Sequence, residues 1–183
     1  MATGLNPHGH KEESQPAAVD RGDVVQQLLA RAQQVRVVKN LILFEDAHLL
    51  VVHKPSGINT HRPDRYAPDG LFEWLTKRGR QLAIHQRLDK DTSGVLVFGK
   101  SPRANQSLAR QFEAHQVHKE YLLLSSSKPT RRKFCAETPS EATEFEYIQP
   151  HGDVHLIAAR PITGKTHQIR RHAADNGFPI LGD

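Results

Sequence analysis

Residues 87–99 read Arg87-Leu88-Asp89-Lys90-Asp91-Thr92-Ser93-Gly94-Val95-Leu96-Val97-Phe98-Gly99. The stretch changes character at Gly94. Its second half is an apolar run of strand length bounded by glycines, the pattern of a buried strand. Its first half packs two carboxylates, two cations and two hydroxyls into the approach to that strand. Polar groups at the mouth of a sheet are held by the strand behind them while they face a partner in front, which suits chemistry. Two other readings fit the same residues: an ordinary turn in which Asp91 or Thr92 caps backbone amides, and an Asp89-x-Asp91 pair holding a divalent cation through oxygen.

Upstream of this stretch, Leu41–Phe44 and Leu49–His53 are short apolar runs broken at Glu45-Asp46-Ala47, two strands joined by a turn. Lys54-Pro55-Ser56-Gly57 must leave the sheet, because proline lacks the donor and glycine permits positive φ. Residues 61–69 form a loop, and Asp69 is placed to cap a short helix carrying Leu71, Phe72, Trp74 and Leu75. After Phe98, Ser101 and Pro102 are an N-cap and a first-turn proline, and Leu108, Ala109 and Phe112 are the buried stripe of the helix they start. Lys119–Leu124, Thr143–Ile148 and Val154–Ala159 read as strands, with Glu144 and Glu146 on one face of the second. Lys128–Lys133 reads as a basic loop. Thr163-Gly164-Lys165-Thr166 is a turn before a helix over His167–Asn176, with Gly177 just past its end. Upstream, residues 1–20 have the composition of a disordered tail, and from Asp23 the residues Val24, Val25, Leu28, Leu29, Ala32 and Val35 keep helical spacing. Helices and strands mix without a βαβ repeat, so the class is α+β, with a mixed, largely antiparallel central sheet and flanking helices.

Composition narrows the function. The 183 residues carry 25 Lys+Arg against 20 Asp+Glu, a net charge of +5. Between Lys100 and Lys133 stand eight basic residues and only two acids, Glu113 and Glu120, so the excess is concentrated there, as either a polyanion footprint or a solvated face. No apolar run reaches the length of a membrane span, and the start has no secretory core. One cysteine, Cys135, excludes an internal disulfide and a Cys-rich zinc site, which fits a reducing compartment, the cytoplasm. His115 and His118 have metal-compatible spacing but read as bystanders.

A second dense stretch, Thr163 to His172, sets Lys165 in a glycine turn and His167, Gln168, Arg170, Arg171 and His172 on the helix after it. A helix start with free amides can receive a phosphate. The spacing is not that of a nucleotide P-loop.

Together these segments resemble the RluA-like pseudouridine synthase family. Arg87-Leu88-Asp89-x-x-Thr92-Ser93-Gly94 is similar to its signature loop. Lys54-Pro55-Ser56-Gly57 resembles its Lys-Pro-x-Gly turn, and Lys119-Glu120-Tyr121 its Lys-x-Tyr strand. Gly164 to Arg170, with Pro179-Ile180-Leu181-Gly182-Asp183, resembles its closing motif. Four matches in the family's order cover residues 54–183. The sequence departs from the pattern in having Gln86 between His85 and Arg87, Lys165 where arginine is usual, and no S4-like RNA-binding domain before residue 40. Family domains also continue past the Gly-Asp pair, so residues 21–183 are expected to be a catalytic domain incomplete at its C-terminus, with exposed apolar edge surface and weak activity.

The resemblance implies isomerisation of uridine to pseudouridine in rRNA or tRNA by a monomer, with no cofactor, metal, nucleotide or membrane involved. Asp89 would be the catalytic carboxylate, Tyr121 the ring against the target base and Arg170 the cation paired with Asp89. Arg87 would fill the space left by the extracted nucleotide, and Lys165 and Lys54 would bind substrate. Two other functions are weighed against this one. A silent RNA-binding module needs only the basic stretch, and a metal-dependent glycosyl- or phosphoryl-transfer enzyme would use Asp89 and Asp91.

Overall fold

The computed structural model describes residues 41–77 and 79–182; the upstream helix and tail read from the sequence lie outside them. Four strands, β1 (Ile42–Glu45), β2 (Leu49–Lys54), β3 (Ala83–Ile84) and β4 (Gly94–Gly99), form the first sheet, in the order β1-β2-β4-β3. The β1–β2 turn closes on one carboxylate oxygen, Asp46 Oδ1, which accepts from the amides of His48 at 2.7 Å and Leu49 at 2.6 Å. In the β2–β4 ladder Leu50 faces Phe98, Val52 faces Leu96 and Lys54 faces Gly94. Side chains alternate across a strand, so these partners share a face, and all but Gly94 are buried on it. Helix α1 (Leu71–Thr76) has both Leu71 and Leu75 fully buried and sets the Phe72 ring 6.1 Å from Phe98, centroid to centroid.

Helix α1 is not started by Asp69, as the sequence reading had it. Its N-cap is Gly70, and Glu73 reaches back so that its Oε2 accepts from the amides of Gly70 and Arg62, both at 2.9 Å. A carboxylate three residues into a helix can satisfy an otherwise orphaned amide. Asp69 is instead paired with Arg62 and Lys77. Helix α2 (Pro102–Glu113) does start as expected, with Ser101 Oγ accepting from the Ala104 amide at 3.3 Å.

The second sheet has the order β5-β8-β7-β6, built from β5 (Tyr121–Ser125), β6 (Lys133–Thr138), β7 (Glu141–His151) and β8 (Val154–Pro161). Strand β6 begins at the residue where the basic loop was expected to end. Its true alternation is Phe134 and Ala136 inward, with Lys133, Cys135 and Glu137 outward. Tyr121, Ala159, Phe145 and Phe134 stand in register in one row across all four strands. The Phe134 and Phe145 rings lie 5.5 Å apart, and Phe178 meets Phe145 edge-on at 5.1 Å, a favoured aromatic geometry. Helix α3 (Gln168–Asp175) buries Ala173 and His172, and Gly177, with φ of 82°, follows its end. At the β5 edge, the Leu181 amide donates to the Leu124 carbonyl at 2.8 Å, while Leu122 and Leu181 face solvent.

The class is α+β as expected. Every strand pair among the described residues is antiparallel, and the strands divide into two four-stranded sheets rather than one. No described helix is long and apolar enough to cross a membrane.

A side chain at Gly70 has no room. A Cβ there would stand 2.7 Å from the His61 main chain and 2.8 Å from the Asn59 carbonyl oxygen, and backbone cannot step aside as a flexible side chain can. Gly70→Ala is expected to lower stability by about 2–3 kcal/mol, read as a lower urea midpoint at unchanged m-value.

Candidate active site

The signature loop is held from below by two side chains. Lys54 ends β2 on its buried face, with no exposed surface. Its Nζ donates to the carbonyls of Ile58 at 2.7 Å and of Pro55 and Lys90 at 2.9 Å. An ammonium has three donors, so none remains for a substrate. The expectation that Lys54 binds substrate is therefore corrected: it pins the 55–58 turn to the loop that carries Asp89. Burial pulls its pKa below the usual lysine value, and the Asp91 and Asp89 carboxylates push back upward. Thr60 makes the second clamp, its hydroxyl donating to the Leu88 carbonyl at 2.8 Å and accepting from the Leu88 amide at 3.0 Å. Further bonds run from the Gly57 amide to the Lys90 carbonyl at 2.9 Å and from the Thr92 amide to the Asp89 carbonyl at 3.1 Å. Asp89 thus sits between two clamped neighbours, its carboxylate partly exposed.

The second sheet brings its own groups to this loop. Tyr121 is the first residue of β5, partly buried at the end of the aromatic row. Burial, with the Asp89 charge adding to it, raises the Tyr121 phenol above the ordinary tyrosine value, so the ring is neutral at physiological pH. Lys119, two residues earlier, donates from Nζ to the Thr163 carbonyl at 3.0 Å and ties the start of β5 to the turn before α3. Burial lowers the pKa of this ammonium too.

At the N-cap of α3 stands His167, whose Nε2 is 3.8 Å from Asp89 Oδ2. Its backbone is left-handed, φ 53° and ψ 24°, a conformation that costs a non-glycine residue about 1–3 kcal/mol. Gln168 supports it from beneath. That buried carboxamide accepts from the Thr163 hydroxyl at 2.7 Å and the Lys165 amide at 3.1 Å, and donates at 2.9 Å to both the Ala142 carbonyl and Thr143 Oγ1. The turn is therefore bonded to β7 through this side chain and through the Thr163 hydroxyl, which accepts from the Ala142 amide at 3.3 Å.

The loop, β5 and α3 accordingly bring Asp89, Tyr121 and His167 to one place. Arg170, half-buried, lies on α3 one turn beyond His167. Arg87 and the Lys165 side chain are exposed and make no hydrogen bond or ion pair among the described residues. Gln86, the departure before Arg87, donates to the Val95 carbonyl at 3.2 Å. His85 lies 3.4 Å from Asn105 Oδ1, on α2. Thr60, Lys119, Gln168 and His167 were not among the site residues named from sequence. The last three stood in quoted motifs, where a lysine opening an apolar strand and a glutamine on a buried helix face were the available signals. Among the described residues, Asp89 and Asp91 are not joined by a third His, Cys, Asp or Glu in a group able to hold a metal ion.

A family model described as RNA pseudouridylate synthase matches residues 48–175. The chain is 31% identical over 188 residues to the ribosomal large subunit pseudouridine synthase C of Vibrio vulnificus (strain CMCP6), an alignment covering 92% of this chain and 59% of that protein. It is 33% identical over 175 residues to the ribosomal large subunit pseudouridine synthase C of Escherichia coli (strain K12), covering 82% and 54%. The chain thus spans about half the length of the curated relatives it matches. Among solved structures, human RNA pseudouridylate synthase domain containing 4 superposes with a TM-score of 0.69 at 22% identity, over 86% of this chain and 72% of that one. Human RNA pseudouridylate synthase domain containing 1 gives 0.65 at 23%, over 78% and 67%. These two structures share the fold.

Two measurements test the site. Lys54→Met leaves three carbonyls without their donor and is expected to cost about 3 kcal/mol in urea unfolding. Tyr121 holds its proton more tightly folded than unfolded. Its contribution is therefore complete below the unfolded tyrosine value near 10 and is lost as pH rises from there through the folded value. The parent should lose stability above about pH 10 more steeply than Tyr121→Phe, and subtracting their ultraviolet titrations should show one phenol ionising above the usual range.

Proposed function

The chain belongs to the RNA pseudouridylate synthase family, and from that membership and the grouping around Asp89 we propose that it isomerises uridine to pseudouridine in RNA. The reaction breaks N1–C1′, turns the detached uracil and forms C5–C1′; C5 loses a proton and N1 gains one, so the atoms balance without a co-reactant. The observation that carries the reading is the clamped, partly exposed Asp89 carboxylate with Tyr121 and His167 beside it.

In this mechanism the ionised Asp89 acts at the ribose, attacking C1′ or drawing a proton from the sugar. Arg170, on α3 one turn beyond His167, is the cation that pairs with Asp89 in this reading. The Tyr121 ring covers one face of the base, and being a neutral phenol it serves as a wall and hydrogen-bond donor rather than as a base. The reacting atoms of a stacked uridine are out of reach, so the nucleotide must be flipped out, at a cost of a few kcal/mol. Arg87, exposed on the loop two residues before Asp89, enters the gap, and its planar guanidinium can stack on the neighbouring bases. Lys165 meets phosphate. Because the matched relatives are named for the large ribosomal subunit, ribosomal RNA is the proposed substrate rather than transfer RNA.

Forming C5–C1′ expels the C5 hydrogen, so RNA labelled there with tritium reports turnover. The parent should release tritium, with or without EDTA, while Asp89→Asn should release it at least about a thousandfold more slowly and bind the RNA within about threefold of the parent. Release by Asp89→Asn at the parent's rate would remove the carboxylate from the chemistry. Abolition by EDTA would favour a metal-dependent reaction, and binding without release by either protein would favour a silent RNA-binding module.

A further inference from the structure

The β6–β7 end of the second sheet carries features that the Asp89 site does not use. A cavity of about 390 Å³ opens there, lined by Lys128, Pro129, Thr130, Arg132, Tyr147 and Ile148. That is within the range of small-molecule sites. The Tyr147 amide donates to the Arg132 carbonyl at 2.8 Å, which holds the end of the basic loop against β7. The β7–β8 register shifts between Tyr147 and Gln149, so Ile148 is the extra residue of a bulge, 41% exposed and lining the cavity. Bulges re-aim side chains and recur beside functional sites. Lys128 Nζ stands 4.9 Å from the Tyr147 ring centroid.

The charge is equally distinctive. No Asp or Glu occurs from Tyr121 to Ala136. Lys133 is engaged with Glu146 at 2.9 Å, whereas Lys128, Arg131 and Arg132 are exposed and make no ion pair among the described residues. An apolar and aromatic floor rimmed by unneutralised cations is what a single-stranded nucleotide requires, the base on the floor and the phosphates on the rim.

We propose that this cavity is an accessory RNA site, holding one unstacked nucleotide against Ile148 and the partly exposed edge of Tyr147, with its flanking phosphates on Lys128 and Arg132. The proposal rests on the reading of RNA as the substrate and adds a second place where the chain grips it.

The test uses the full chain and a short fluorescein-labelled oligouridine, titrated by anisotropy between about 0.05 and 0.3 M salt. The Lys128→Gln/Arg132→Gln variant should bind about tenfold more weakly and flatten the log K against log salt slope by about 1.4, the value for two single-strand phosphates. Ile148→Asp should weaken binding by a similar factor, as should an abasic oligomer tested with the parent, because the base then loses its floor. Equal affinity and slope for the parent and the Lys128/Arg132 variant would overturn the proposal. So would equal affinity of the parent for the abasic oligomer, or full competition by oligoglutamate, which would mark a patch for anionic peptide. Tritium release is followed separately. Weakened binding in the variants without release by the parent leaves the accessory site standing and removes the isomerase reading; release with binding indifferent to the variants does the reverse.

Discussion

The site depends on one buried ammonium. Taking a lysine head group out of water costs several kcal/mol, and three carbonyl acceptors must offset it. Lys54 meets that condition with contacts of 2.7 to 2.9 Å, and in doing so it joins two loops that share no strand. The carbonyl of Lys90, next to Asp89, is one of the three. The Asp91 and Asp89 charges help keep the ammonium protonated against its burial, so the carboxylates at the surface stabilise the cation beneath them.

A similar arrangement appears in the other sheet. Lys119 donates to the Thr163 carbonyl and Gln168 gathers the turn that follows, so the strand bearing Tyr121 and the helix capped by His167 are bound to each other without any contact through Asp89. Each half of the site is stiffened within its own sheet. The grouping then needs few contacts across the seam, and an exposed His167–Asp89 pair at 3.8 Å, worth little in stability, is enough to mark where the halves meet.

What could be read in the residues followed their periodicity. Strands β2 and β4, the Ser101-Pro102 start of α2 and the glycine after α3 are local patterns, and they stand where local physics puts them. Strand β6 escaped notice because its inward side chains, Phe134 and Ala136, are interrupted by a cysteine and preceded by four cations in six residues. Only its pairing with β7 makes it a strand. The substrate role of Lys54 comes from the resemblance alone, and no local signal reports that the Ile58 and Lys90 carbonyls surround its head group. The division into two sheets, and the meeting of Tyr121 and His167 with the 87–94 loop, arise from contacts between residues far apart in the chain. The motif resemblance points to Asp89 and Tyr121, but neither it nor periodicity implies the two sheets or His167.

Gln168 has a bearing on how the protein ages. Its oxygen faces two donors and its nitrogen two acceptors, so only one orientation of the carboxamide satisfies all four contacts. Hydrolysis of that amide to the acid would replace the nitrogen with a second oxygen and set it against the Ala142 carbonyl, lone pair to lone pair, in a place water scarcely reaches. Exchanging that one –NH2 for an –OH would weaken the hold of the His167 turn on β7 while leaving every strand ladder intact.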